Sequence, residues 1–484
     1  MGSEEAQGNA EGLEDREREQ PLIRSSLKRF LYATERSDEG VTGHAGLLLA
    51  IEAFHALGLH RACQRELRLK ERQRGPTEAE WVELLVMLHL AGGESLDDLE
   101  VLKQDDGLCR LWDLPNRTSP RSALDFLVRF HDPTLPTSSP GNAVIVPETE
   151  GLLGLGRVNA HLLAEVQRHR PVTEATLDVD ASIHPCDKKE AQLAYEGGRA
   201  YQPVVVFWKE QELIVHDQFR DGNVPAGMGN VGVMEAALKK LPEGITKIRV
   251  RGDTALYEQP LLRFLARQGH EFAISADLTK ELRRGIEGLE QSAWQLLPPR
   301  EGCVAKEERW WAEVPFVPED LNARKGEPPF RYVAIRLPPR LVQLDLFEKP
   351  SETKYVAIVT NRWDLSGPEL IHWQRQKCGT IEKTHDRLKH DVGARLFPSS
   401  RFGANAAWYR LAILALNLFS ALSRLALPEE WHGQRLPTAR FRFFNRAGRV
   451  LWHARRHLVV LSHFALPLTE TYLVLRRVLA EWSG

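Results

Sequence analysis

The chain is poor in cysteine. Its 484 residues hold five, Cys63, Cys109, Cys186, Cys303 and Cys378, and no two have CxxC spacing. That scarcity argues against a cysteine-built structural zinc site and a disulfide scaffold, and suits a reducing compartment. No uninterrupted apolar run approaches the ~20 residues that a membrane helix needs. The N-terminal stretch MGSEEAQGNAEGLEDREREQ lacks the pattern of a signal or transit peptide and reads as a disordered leader. Nothing directs the protein out of the cytoplasm. Charge of one sign is also missing. The net charge of −2 excludes a uniformly basic surface of the kind that coats nucleic acid.

What is present is the composition of a soluble globular protein, 43% hydrophobic and 27% charged. The length suggests two or three domains. Residues 1–40 form the leader. Residues 41–135 read as a helical domain. Thr77 with Glu80 marks one helix start, and Ser119-Pro120 marks another. Residues 136–170 are a linker and a helix. Over 171–289 the texture becomes mixed α/β, with strands expected at TLDVDAS (176–182), YQPVVVFW (201–208), LIVHDQF (213–219), KIRVR (247–251) and EFAIS (271–275). Residues 290–362 read as a β-rich insertion among prolines. Helices resume over 363–427, and 428–484 form a basic C-terminal region. Between Trp431 and His457 lie Arg435, Arg440, Arg442, Arg446, Arg449, Arg455 and Arg456 with no Asp or Glu, a stripe on which a near-neutral protein can bind a polyanion.

TLDVDAS places Asp178 and Asp180 on one face of a strand, where burying charge is costly. Asp253 follows the KIRVR strand, and Glu382 lies in the helix TIEKTHDRLKHDVG. If the first and fourth strands are neighbours, Asp180 and Asp253 meet. Such hard oxygen ligands suit Mg²⁺, whose shell is completed by water and phosphate. Two such ions can activate a nucleophile and stabilise the leaving oxygen of a phosphodiester. The alternative is that each is a solvated or ion-paired residue.

The ordered series TLDVDAS, GRAYQPVVVFW, FRDGNVPAG, IRVRGDTALY and GTIEKTHDRLKHDVGARLFPSSRFGANAAWYRLAILALNL resembles the DDE transposases of bacterial insertion sequences, and within them insertion-sequence family thirteen-eighty. The resemblance implies an α/β, RNase H-like mixed-sheet catalytic core with a β-rich insertion, a helical N-terminal DNA-binding domain and a basic C-terminal region. It implies cut-and-paste transposition by hydrolysis at terminal inverted repeats and 3′-hydroxyl strand transfer, through two Mg²⁺ (or Mn²⁺) ions and a homodimer on double-stranded DNA. Cleavage in this group often passes through a DNA hairpin. The bacterial cytoplasm, at the nucleoid, is the implied location. Asp180, two residues before Ser182, takes the first ligand position, with Asp178 supporting or alternative; Asp253 and Glu382 complete the set. Lys389, seven residues after Glu382, is expected on a DNA phosphate.

The chain departs from the family pattern in four places. Arg375 and Cys378 stand where the family has Tyr and Arg, and Thr254-Ala255 follow Asp253 instead of a small residue and Gly. Arg375 is a candidate substitute cation. The rival readings are an RNase H-like nuclease without strand transfer and a domesticated or inactive DNA-binding protein. Further DNA contacts are expected from Arg117, Arg121 and Arg129 at the reading helix, and from Arg440, Arg442, Arg449, Arg455 and Arg456 in the stripe. Trp310 and Trp311 are base-stacking candidates for a flipped nucleotide, or members of the insertion's core. His453 and His457 lack the Glu of a zinc motif and accompany the arginines.

Overall fold

The computed structural model describes residues 40–70, 74–112, 118–300, 307–316, 329–338, 354–453, 455–461 and 466–482. The short strand β1 (Val41–Thr42) leads into helices α1 (Leu47–Ala56), α2 (Leu59–Glu66) and α3 (Glu78–Ala91). The Thr77 hydroxyl accepts from Glu80 N at 3.2 Å while the Glu80 carboxylate accepts from Thr77 N at 2.5 Å, which is the expected capping box. Helices α4 (Leu99–Gln104), α5 (Asp106–Trp112), α6 (Pro120–Val128) and α7 (Glu150–His169) follow. Ser119 caps α6, with Pro120 in its first turn.

A nine-stranded mixed sheet forms the body. The chain lays down β2 (Glu174–Ala181), a two-stranded side ribbon of β3 (His184–Pro185) and β4 (Ala200–Tyr201), then β5 (Val204–Trp208) and β6 (Leu213–Gln218). Helix α8 (Asn230–Leu238), strand β7 (Lys247–Gly252), helix α9 (Gln259–Arg267) and strand β8 (Glu271–Ala276) come next. Then come α10 (Lys280–Glu287), β9 (Gln295–Leu296), β10 (Trp310–Val314), β11 (Arg331–Leu337) and β12 (Lys354–Thr360). The sheet order is β6-β5-β2-β7-β8-β12-β11-β10-β9. Among the described residues, the strands of the 290–362 segment continue the main sheet from the edge of β8 and do not form a sheet of their own.

Helices α11 (Gly367–Arg375), α12 (Ile381–His390) and α13 (Phe402–Leu425) follow, then the short α14 (Leu436–Ala439), the hairpin β13 (Gly448–His453) and β14 (Arg456–Leu461), and α15 (Leu466–Trp482). Helix α13 is long and apolar enough to cross a membrane, yet the fold buries it on all sides. It packs against α1, α3, α6, α7 and β6. Arg410 on α13 is held by Asp217 at 2.9 Å, Glu148 at 2.6 Å and the Leu152 carbonyl at 2.6 Å. A buried guanidinium needs that full set of acceptors. One apolar cluster runs from Leu47 to Trp482, so the helical N-terminal part and the sheet share a core. The start of the described chain also meets its C-terminal part, since β1 pairs with β13 in a three-stranded sheet.

Candidate active site

β2 and β7 are parallel neighbours, with Asp178 opposite Arg251 and Val179 opposite Gly252. One residue further along, Asp180, still paired with Val205 of β5, and Asp253, just past the end of β7, come side by side at the carboxyl end of these two strands. That is where open α/β sheets place ligands. Asp253 turns its carboxylate to accept from Ala255 N at 3.0 Å, which caps a short 3₁₀ turn. Helix α12 packs against β2 and brings Glu382, in its first turn and exposed, to the same end.

The two carboxylates of TLDVDAS have different environments. Asp178 is fully buried and receives Arg251 Nε at 2.6 Å and Nη2 at 2.8 Å, a bidentate pair. The Thr380 hydroxyl donates to it as well. Arg251 is fully buried too, gives Nη1 to the Trp373 carbonyl at 2.7 Å, and lies 5.5 Å from the Trp373 ring centre. Asp178 is therefore neutralised within the core, where a bidentate guanidinium satisfies both its oxygens.

Among the described residues, Asp180 has no such partner. Its carboxyl is pushed up to about 7, first by burial, then by the charge of Asp253, with Glu382 adding and Lys377 and the Ala181 N–H opposing. Ala181 N donates to it at 3.0 Å. His385 Nε2 stands 3.8 Å away, and burial holds that imidazole down at about 3, which leaves it uncharged. A partly buried carboxyl crowded by two like charges and lacking a guanidinium is a hard oxygen donor set short of positive charge. It fits a divalent cation.

Among the described residues, Lys377 and Lys389 bring positive charge to this end. Burial lowers the Lys389 ammonium, against the charges of Glu196, Asp180 and Asp386. Arg375 is half-buried, lowered by burial and then by nearby Arg309. Lys377 and His385 were not legible as site residues. Helical spacing alone (His385 is three residues after Glu382) is the signal that could have flagged His385.

The remaining sequence candidates divide. Trp311 is 9% exposed in a small second core with Val333, Ile358 and Leu370, and its ring lies where a Cβ on Gly367 would stand, 2.0 Å from Cζ3. The core claims Trp311, which removes it as a stacking platform. Trp310 is half-buried, with the Arg336 guanidinium 5.5 Å from its ring centre. Arg440 is also corrected. It donates to the Leu90 carbonyl at 2.8 Å and the His89 carbonyl at 2.5 Å, and also to the Asp391 carbonyl. Arg440 thus closes the C-terminal end of α3, whose last carbonyls lack helical partners. Arg442, Arg449, Arg455 and Arg456 are exposed. Arg121 is exposed and paired with Asp125 at 3.3 Å, Arg129 is exposed, and Arg117 lies outside the described residues.

The family described as "Transposase DDE domain group 1" matches residues 34–481 of the chain. Among solved structures, the chain is similar to the cryo-EM structure of a piggyBac transposase synaptic complex with hairpin DNA. The identity is 11% and the TM-score 0.39, over 82% of this chain and 78% of that one. No curated protein matches.

Proposed function

The chain belongs to the DDE transposase family, domain group 1, and on that premise we propose that it is a cut-and-paste transposase of a bacterial insertion sequence, of insertion-sequence family thirteen-eighty. Asp180, Asp253 and Glu382 would hold two divalent ions, Mg²⁺ or Mn²⁺. The observation that carries this assignment is the contrast between the two carboxylates of β2. Asp178 is neutralised by Arg251, whereas Asp180 faces Asp253 and Glu382 with its proton affinity raised.

When bound, the ions supply an activated water or 3′-hydroxyl and charge stabilisation of the leaving oxygen. The chain's own residues do the rest. β2 and β7 fix the separation of Asp180 and Asp253 through their register, and Asp178–Arg251 locks that register one step below the site. Lys389 holds a phosphate of the cleaved strand, and Lys377 offsets the surplus negative charge beside Asp180. Trp310 stacks on a base displaced near the cleaved end. The exposed arginines of β13 and β14 hold duplex DNA, and two chains act together on paired ends.

The test is incubation of the full chain with Mg²⁺ and DNA bearing the element's terminal repeats. Cleavage with a strand-joined product supports the reading. Cleavage without joining makes the protein a nuclease of the same fold. Binding without cleavage makes it an inactive DNA-binding relative.

A further inference from the structure

The helical N-terminal part holds a second cluster of metal-type donors, remote in sequence from the carboxylates of the sheet. His55 lies in the last turn of α1, and His60 in the first turn of α2. Leu57 and Gly58 alone separate the two helices, with Gly58 at φ 68°, a left-handed turn that glycine adopts without strain. Glu83 comes from α3. His55 Nε2 and His60 Nδ1 each stand 3.0 Å from the same oxygen, Glu83 Oε2. The rings lie nearly parallel with centres 4.7 Å apart. Among the described residues, this is the group whose three ligand atoms all fall within 4.8 Å of one another.

Three features point to a cation as the shared ligand. The Glu83 side chain is 6% exposed, and its partners among the described residues are two imidazoles and the Trp112 indole. Trp112 Nε1 donates at 2.7 Å to Oε1 alone. That fixes the carboxylate and leaves Oε2 aimed between the rings, as an outer hydrogen bond orients a metal-binding carboxylate. A tetrahedral ion with bonds of ~2.0–2.1 Å keeps its ligand atoms about 3.3 Å apart, so the two separations from Glu83 Oε2, 3.0 Å each, need change only by tenths of an ångström, and the two imidazole nitrogens already lie within 4.8 Å of one another.

We propose that His55, His60 and Glu83 form a site for one transition-metal dication, with zinc as the occupant, that ties the α1–α2 turn to α3. Two imidazoles and a carboxylate favour zinc over the hard ions that suit Asp180, Asp253 and Glu382. His55 is half exposed, which leaves the fourth position open to water and gives the ion its entry. The scarcity of cysteine does not bear on this site, because none of its donors is sulfur.

The experiment uses the full chain carrying Asp180→Asn and Asp253→Asn, so that the carboxylates of the sheet do not contribute. The protein is stripped with a chelator, given Zn²⁺ alone, desalted and measured for bound metal, with thermal melts before and after. One retained equivalent and a rise in Tm are expected. Adding His55→Asn and His60→Asn should remove both. His55→Asn alone, at a half-exposed position that leaves the fold intact, should weaken Zn²⁺ at least tenfold. Retention of the equivalent in the double-histidine variant, or no retained zinc in the parent, overturns the proposal.

Discussion

At the scale of the residue, two carboxylates two positions apart in one strand do opposite things. Asp178 and Arg251 are 73 residues apart in sequence and bidentate in space. Removing one partner of such a buried pair strands the other charge, which costs about 3–5 kcal/mol. Asp178→Asn should therefore lower stability by that order in urea unfolding, whereas Asp180→Asn should not. Equal losses would show that Asp178 is not the structural member of the two. Asp180 also carries a pH signature. Its folded-state pKa of about 7 lies above the ordinary value of 3.8, so the folded protein holds a proton that the unfolded chain has lost between those values. Stability from this group is full below about pH 4 and is lost as pH rises towards 7. In chelator-treated protein, Asp180→Asn should therefore be more stable than the parent at pH 8 and equal to it near pH 4. The same proton competes with metal, so the Mg²⁺ concentration needed for cleavage should fall as pH rises to about 7 and level off above it.

At the scale of the element, local patterning carried far in this chain. The five strands expected in the core lie within a few residues of β2, β5, β6, β7 and β8, and both expected helix caps, Thr77 and Ser119, are formed. Alternation and capping are short-range signals, and a single sequence contains them. Strand adjacency is not short-range. That β2 pairs with β7 could be posed only as a condition, and that β9 to β12 extend the same sheet was not visible, because a strand's own pattern looks the same whichever sheet it joins. The tryptophan pair on β10 shows the same boundary. A strand puts neighbouring side chains on opposite faces, so one ring should be inside, but which one depends on the helix that covers it. Gly367 in α11 decides it by leaving room for Trp311. Trp311→Ala should cost about 3–5 kcal/mol. Trp310→Ala should cost less than Trp311→Ala, since Trp310 is only partly buried against the main core, and should reduce end cleavage. If instead Trp310→Ala cleaves normally, the base-stacking role is lost.

At the scale of the whole molecule, the proposed function requires a near-neutral chain to bind a polyanion, and it assigns that binding to the basic stripe. The stripe is not uniform. Arg440 is spent on the carbonyls that end α3 and on Asp391, and Arg435 pairs with Asp391 at 2.5 Å and Asp386 at 2.8 Å. Sequence spacing could not separate these from their neighbours, because their acceptors lie on helices distant in the chain. Arg449, Arg455 and Arg456 stand on the β13–β14 hairpin, exposed beside Trp452. Phosphate contacts release counterions, and each is worth about 0.9 in the slope of log affinity against log salt. Replacing Arg449, Arg455 and Arg456 together with Ala should flatten that slope by roughly 2 to 3 for three contacts and leave the melt unchanged. Fluorescence anisotropy on end-bearing duplex across a salt series measures it. Arg440→Ala should do the reverse, lowering Tm with little effect on the slope. An unchanged slope in the triple variant would move the DNA-binding surface away from the hairpin, to the exposed Arg121 and Arg129 of the helical part.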